Sequence, residues 1–167
     1  MNTFKFADLK IGMTEEFHTE SVRGGGAAVH TVETDALEDT GGEVGVPLEI
    51  SQERLDLFRD LTGDISPIHI DEDYARERGF AGRVCYGMLT SAFYSTLVGV
   101  YLPGKYALFQ EAHISMAKPV YIGDRLSVTG KITDLDEALK RVTIKARIRN
   151  QRGETVSRAT LAVGVSE

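Results

Sequence analysis

The chain has 167 residues, of which 42% are hydrophobic and 26% are charged, a composition typical of one globular domain with its own core. Its formal net charge of -6 argues against nucleic-acid binding and against charge-driven binding to anionic membranes. The single cysteine excludes an internal disulfide, and no basic-then-apolar leader with a small-residue cleavage site opens the chain, so we expect a cytoplasmic protein.

The N-terminal part predicts one strand followed by an insertion. The run from Phe4 to Met13 leads into a first strand around Thr14–Thr19. Residues 21–47 contain three consecutive glycines and an acidic patch but no sustained hydrophobic period, so they predict a flexible insertion that forms a lid or a subunit contact. A phosphate-binding loop is disfavoured there, because no Gly-Lys-Ser/Thr follows the glycines.

The next element is an amphipathic helix that we expect to end at Gly63. Ser51 precedes its apolar stripe as the expected N-cap, with Arg54 where a capping box would carry Glu or Gln. After Gly63 we expect a rigid, non-helical segment up to His69, because Pro67 holds the residue before it in an extended conformation. The apolar stripe consists of Leu55, Leu57, Phe58 and Leu61.

Asp64 and His69 lie five residues apart on that rigid segment. An imidazole titrates near neutral pH and can take a proton from water, and a carboxylate can orient that water or pass the proton on. The two side chains therefore fit a general acid-base pair. The spacing alone favours a simpler interpretation, a turn-forming Asp and a structural His, because Asp is a common turn residue.

Two other chemistries are disfavoured in this region. The acidic residues that follow His69 lack a closed set of metal ligands, and an acidic start to a helix over Glu72–Arg78 explains them, so we expect no metal. Cys85 precedes a predicted helix N-terminus, a position that lowers a thiol pKa. No histidine lies near it in sequence to act as a base, so a small buried thiol is the expected role.

The run GMLTSAFYSTLVGVYL, from Gly87 to Leu102, contains no charged residue and predicts a helix that is covered on nearly all sides. At about 16 residues it is too short to span a bilayer, which needs about 20. The N–H groups around Gly87 carry the positive end of the helix dipole and can hold a developing oxyanion. Ser95 lies two turns further along and is expected to face the same cleft.

The remainder of the chain predicts an antiparallel meander. Apolar and polar residues alternate between Lys140 and Arg149, which indicates a sheet with one face on the buried helix and the other in water. We therefore predict an α+β fold in which an antiparallel sheet wraps around a long central helix, as a single domain over residues 1–167. The predicted strands cover Leu108–Ala117, Arg125–Thr133, Lys140–Arg149 and Thr155–Val165.

The stretch FRDLTGDISPIHIDEDYARERGFAGRVCYGML resembles the hydratase signature of the MaoC-like branch of the hot-dog fold, which includes the (R)-specific enoyl-CoA hydratases. The similarity covers most of residues 48–165. It implies that Asp64 and His69 are the catalytic pair, that the Gly87 amide is the oxyanion donor, and that Ser95 matches a serine of some members. Two residues depart from the usual pattern: Ser66 stands where Asn is common, and Tyr86 stands where a His often precedes Gly-Met-Leu.

The resemblance implies reversible hydration of trans-2-enoyl-CoA, or of another enoyl thioester, to the (R)-3-hydroxyacyl product without a cofactor. An acyl-CoA or acyl-carrier thioester is then the expected partner. A homodimer or higher homo-oligomer is also expected, because a single such domain leaves a sheet edge open. The expected substrate contacts are Ser66, Pro67, Tyr86, Met88 and Ser95.

Two alternatives stay open. An acyl-CoA thioesterase can use the same fold. Many hot-dog thioesterases place an acid on the central helix, and the run from Gly87 to Leu102 has none, which argues against this function. The other alternative is a non-catalytic acyl-thioester binding module, in which Ser66 and the insertion would mark the loss of activity.

Overall fold

The computed structural model describes residues 1–18 and 49–166, and of Phe17 and His18 only the backbone. The predicted insertion over residues 21–47 lies outside the described residues. The helices are α1 (Gln52–Thr62), α2 (Pro67–Ile70), α3 (Glu72–Glu77) and α4 (Gly87–Thr96), and α4 continues as a π-helical turn over Leu97–Tyr101. The strands are β1 (Thr14–His18), β2 (Ala107–Met116), β3 (Leu126–Asp136), β4 (Arg141–Asn150) and β5 (Thr155–Val165).

The strands form one antiparallel sheet in the order β1-β3-β4-β5-β2. Burial alternates along β3 and β4, as the period-two pattern of their sequences predicts. Apolar residues meet across the strands on the inner face, for example Val128 with Ile148 and Ile144 with Leu161, and all four are fully buried. The predicted sheet with one packed face is therefore confirmed for its central strands.

The central helix packs against this inner face. Tyr94 and Leu97 are 0% exposed, and the Tyr94 hydroxyl donates a hydrogen bond of 3.0 Å to Ser157 Oγ on β5. The sheet approaches the helix closely at Gly130, where an added Cβ would lie 2.6 Å from Leu97 Cδ2. The predicted helix to Leu102 is correct in extent, but its last turn is wider than an α-helix, since the Leu102 N–H donates to the Leu97 carbonyl.

β2 lacks the buried face of β3 and β4. It lies at the sheet edge, and all but two of its ten residues are exposed. Leu108 is 58% exposed and Met116 is 49% exposed. The strand predicted over Leu108–Ala117 is present one residue earlier, and its Met116 reaches the N-terminus of α4.

Among the described residues, no helix is long and apolar enough to cross a membrane.

Candidate active site

Asp64 is aimed by the end of α1. Ser51 caps the start of this helix, with its hydroxyl accepting a hydrogen bond from the Arg54 N–H at 3.3 Å, as predicted. Gly63 ends the helix with φ of 71°, a left-handed conformation that glycine adopts without steric cost. The Asp64 carboxylate then accepts the Ser66 N–H at 3.0 Å, a local turn that leaves its other oxygen unused by this bond.

His69 lies on a one-turn helix, so the prediction of a non-helical segment was wrong. Ser66 is extended, as expected before proline, but Pro67 itself opens α2. Proline favours the first position of a helix, because its fixed φ is helical and its missing N–H has no partner there in any case. The turn closes with a hydrogen bond of 2.8 Å from the Asp71 N–H to the Pro67 carbonyl.

The imidazole of His69 is oriented by a backbone carbonyl. Nδ1 lies 2.7 Å from the Val84 oxygen, which can only accept, so Nδ1 carries the proton and Nε2 presents a lone pair. Val84 is held in turn, since its N–H donates to the Ile68 carbonyl and its backbone pairs with Tyr121. The neutral tautomer fixed in this way is the one that a general base needs at Nε2.

Tyr86 contacts both halves of the expected catalytic pair. Its ring centroid is 4.1 Å from that of His69 and 5.0 Å from that of Phe58. Its hydroxyl donates a hydrogen bond of 2.9 Å to the backbone carbonyl of Asp64, and the residue is only 2% exposed. Burial, followed by the nearby Asp64 charge, raises the pKa of this phenol, so the hydroxyl stays protonated and remains a donor.

The N-terminus of α4 directly follows Tyr86 in the chain. The side chain of the N-cap residue, Tyr86, makes no capping hydrogen bond here, so within the described residues the first N–H groups of the helix, which carry the positive end of the dipole, can meet an anionic group. An added Cβ at Gly87 would lie 3.2 Å from Met116 Cε, so the glycine lets the β2 side chain come close to the helix end. Ser91 lies one turn further on and donates a hydrogen bond of 2.9 Å to the Gly87 carbonyl.

The predicted substrate contacts differ in their position relative to Asp64 and Gly87. Ser66 and Pro67 are exposed beside Asp64, and Met88 is 64% exposed beside Gly87. Ser95 is exposed two turns along α4, and within the described residues no hydrogen bond joins it to Asp64 or His69. Tyr86, which directly precedes α4, therefore contacts both Asp64 and His69, while Ser95 lies further along the helix.

Sequence reasoning missed several groups at this site. The Val84 carbonyl is a backbone acceptor, which no side-chain pattern can reveal. Ser91 carries a usable signal, its position one helical turn after Gly87. Met116 comes from β2 and reaches Gly87 only through the tertiary fold.

Cys85 and the acidic residues that follow His69 have structural surroundings that explain them. Cys85 is 3% exposed, and burial raises the pKa of its thiol to about 11, so the expected effect of the helix N-terminus does not prevail. Asp71 caps α3 by accepting the Tyr74 N–H at 3.0 Å, and Glu72 accepts the Arg83 N–H at 3.1 Å. In the two described parts of the chain, no three His, Cys, Asp or Glu side chains converge as metal ligands would.

Comparison with known proteins identifies a family model and several relatives that this chain resembles. A family model described as a MaoC like domain matches residues 35–154. An (R)-specific enoyl-CoA hydratase from Rhodospirillum rubrum is 34% identical over 105 residues, covering 63% of this chain and 73% of the relative. A 3-hydroxybutyryl-CoA dehydratase from Methylorubrum extorquens is 33% identical over 87 residues, covering 52% of this chain and 55% of the relative.

Among solved structures, an unliganded R-hydratase from Pseudomonas aeruginosa superimposes with a TM-score of 0.74 at 24% identity, covering 98% of this chain and 86% of that one. At this level of identity the likeness establishes the fold, a hot-dog sheet around a central helix. Since the family model spans well over half of the residues, the chain belongs to the MaoC-like domain family.

Proposed function

We propose that the protein is a hydro-lyase that reversibly hydrates a trans-2-enoyl thioester to the (R)-3-hydroxyacyl thioester. The observation that carries this proposal is the 2.7 Å hydrogen bond from His69 Nδ1–H to the Val84 carbonyl, which leaves Nε2 as a proton acceptor. The names of the relatives support the reaction class and the CoA thioester.

In the proposed mechanism, a water molecule lies between Asp64 and His69. Nε2 of His69 takes one proton from the water as its oxygen bonds to C3 of the enoyl group. The electron pair of the double bond moves toward the thioester carbonyl, and the Gly87 N–H stabilises the resulting enolate oxygen at the helix N-terminus. The Asp64 carboxylate orients the water. The proton taken up by Nε2 then passes to C2 with the help of Asp64, the thioester carbonyl re-forms, and His69 returns to its starting state, so that the elements of one water molecule are added.

Exposed apolar side chains beside the catalytic pair support an acyl substrate. Leu61 is 82% exposed, Ile65 is 69% exposed, and Met88 next to Gly87 is 64% exposed. Exposed apolar groups that are grouped in one region are typical of a binding surface. Ser66, Pro67 and Ser95 complete the proposed surroundings of the thioester, whereas Tyr86, the other expected contact, is only 2% exposed and borders the site through Asp64 and His69.

The open edge of the sheet supports a homodimer. Among residues 1–18 and 49–166, β2 pairs with β5 alone and leaves the backbone groups of its other side unpaired, and exposed edges of this kind are usually covered. Because Met116 on β2 also reaches Gly87, a partner subunit on this edge would lie next to the site.

The buried free thiol of Cys85 supports a reducing compartment, and we propose a cytoplasmic protein that consists of one domain.

Crotonyl-CoA tests the reaction directly. The enoyl absorbance and the release of free thiol are followed in parallel with the purified full chain. Loss of enoyl absorbance without thiol release, together with (R)-3-hydroxybutyryl-CoA as product, is the expected result. Thiol release would instead indicate a thioesterase, and stoichiometric binding of acyl-CoA without turnover would indicate a binding module.

A further inference from the structure

The backbone of residues 63–66 makes mostly local hydrogen bonds and is linked, among the described residues, to a distant element by a single side chain. Two of its hydrogen bonds are local: the Asp64 N–H donates to Thr62 Oγ1 at 3.3 Å, and the Ser66 N–H donates to Asp64 Oδ1 at 3.0 Å. In the described part of the chain, the bond that connects this exposed segment to a distant element is the one from the Tyr86 hydroxyl to the Asp64 carbonyl. Tyr86 therefore anchors the backbone of the segment that carries the Asp64 carboxylate.

The same side chain limits the motion of His69. The hydrogen bond from Nδ1 to the Val84 carbonyl fixes one atom of the imidazole, but it does not fix the plane of the ring. The Tyr86 ring lies 4.1 Å from the imidazole centroid, at an interplanar angle of 37°, and Phe58 contacts Tyr86 in turn. Hydrogen bond and ring contact together fix the direction of Nε2.

The backbone of Tyr86 is anchored to α4. Its carbonyl accepts the Thr90 N–H at 3.1 Å, and the Thr90 hydroxyl lies 3.4 Å from the same oxygen. Gly87, the proposed oxyanion donor, is the next residue in the chain. The buried Tyr86 is thus hydrogen-bonded to the helix that begins at Gly87 and to the loop that carries Asp64, and its ring contacts the His69 imidazole.

We propose that Tyr86 is a positioning residue for the hydration reaction. It holds the Asp64 loop and the His69 imidazole at fixed positions relative to the N-terminus of α4. This inference rests on the proposed function for its kinetic consequences. Tyr86 does not exchange protons with the substrate, because its hydroxyl is already used by the Asp64 carbonyl and burial keeps it protonated. It acts on kcat, since a displacement of about 1 Å at a catalytic group costs up to about 100-fold in rate.

Tyr86→Phe separates the hydroxyl from the ring. The variant keeps the contacts with Phe58 and His69 and removes the bond to the Asp64 carbonyl. Tyr94→Phe is the matched control, because it removes a hydroxyl from another buried tyrosine of the same region, bonded to Ser157 Oγ on β5 at 3.0 Å and not to Asp64 or His69. We expect Tyr86→Phe to lower kcat for crotonyl-CoA by about 10- to 100-fold with little change in KM, and Tyr94→Phe to keep the parent kcat.

Nuclear magnetic resonance supplies a readout that does not depend on activity. The ring nitrogens of His69, assigned by comparison with His69→Gln, should show separate Nδ1–H and Nε2 signals in the parent and in Tyr86→Phe. Tyr86→Leu, which removes the ring but leaves the Val84 carbonyl, should keep these two signals and increase the fast motion of the imidazole, measured by relaxation of its Cε1–H group. In Tyr86→Phe, the amides of residues 64–66 should gain fast motion, whereas in Tyr94→Phe they should match the parent.

The outcomes separate the two proposals. If the parent hydrates crotonyl-CoA but Tyr86→Phe matches Tyr94→Phe in kcat and in the mobility of residues 64–66, the positioning role is wrong and the hydratase assignment stands. If the parent hydrates no enoyl thioester, the hydratase assignment fails, and the resonance measurements alone decide whether Tyr86 orders both groups. Should Tyr86→Leu fail to fold, Tyr86→Phe still decides the question.

Discussion

Replacing Gly130 with alanine should displace the Leu97 side chain, through which the central helix contacts the sheet at this point. The new Cβ would lie 2.6 Å from Leu97 Cδ2 and 3.2 Å from Ile144 Cγ2. Carbon atoms pack best at about 3.5–4.0 Å, so the neighbours must move by about 1 Å. Leu97 and Ile144 are both 0% exposed, which leaves them little free space. Overpacking of this kind costs about 1–3 kcal/mol.

For a chain of this size, that cost corresponds to a Tm about 2–12 °C lower than the parent's, measured by differential scanning calorimetry. Gly99→Ala is the matched control, because Gly99 lies on the same helix with nothing within 4 Å of an added Cβ. We expect this control to keep the parent Tm or to raise it slightly. Gly130→Ala should also cost less in a Leu97→Val background, since the contact is relieved there. An unchanged Tm for Gly130→Ala would refute the close packing at this position.

Three further predictions concern groups away from the catalytic pair. The pKa of Glu154 is lowered from 4.5 to about 2 by hydrogen bonds, first from Asn150 and then from Lys118 and Arg152. Its ionised form therefore stabilises the fold above pH 4.5, and this contribution is lost as the pH falls toward 2. Glu154→Gln should therefore lower the Tm at pH 7 and lose this difference at pH 2; a difference independent of pH would contradict the ionic cause. With its pKa raised to about 11 by burial, the Cys85 thiol should resist iodoacetamide at pH 8 until the chain is unfolded in guanidinium, and rapid alkylation of the native protein would contradict its burial. Removing the cap in Ser51→Ala should cost about 1 kcal/mol in urea unfolding, because the Arg54 N–H loses its acceptor; equal midpoints would rule the cap out.

Local patterns in the sequence were sufficient to predict much of the fold. β5 matches its predicted range, Thr155–Val165, because alternation and flanking turn residues define a strand that is buried on one side. The end of α1 at Gly63 was predictable for a similar reason, since glycine adopts the left-handed conformation there at no cost. Both features depend on residues that are adjacent in the chain.

Features that depend on tertiary neighbours could not be predicted in this way. The exposure of β2 follows from its place at the sheet edge, which the strand's own residues do not encode. The pKa of Cys85 is raised by burial, against a lowering by the hydrogen bond with Thr90, and only the fold shows that burial prevails. At the site, the motif indicated Asp64 and His69, but the Val84 carbonyl that fixes the imidazole is a backbone group from a different segment.

Steady-state hydration of crotonyl-CoA by Asp64→Asn and His69→Gln tests the assignment of the catalytic pair most directly. Asp73→Asn is the matched control, an exposed acid at the start of α3 that is not part of the site. We expect Asp64→Asn and His69→Gln each to lower kcat by about 10²- to 10⁴-fold, the usual contribution of a general acid or base, with Asp73→Asn at the parent rate. If either variant hydrates crotonyl-CoA as fast as Asp73→Asn does, that residue is not a catalytic group.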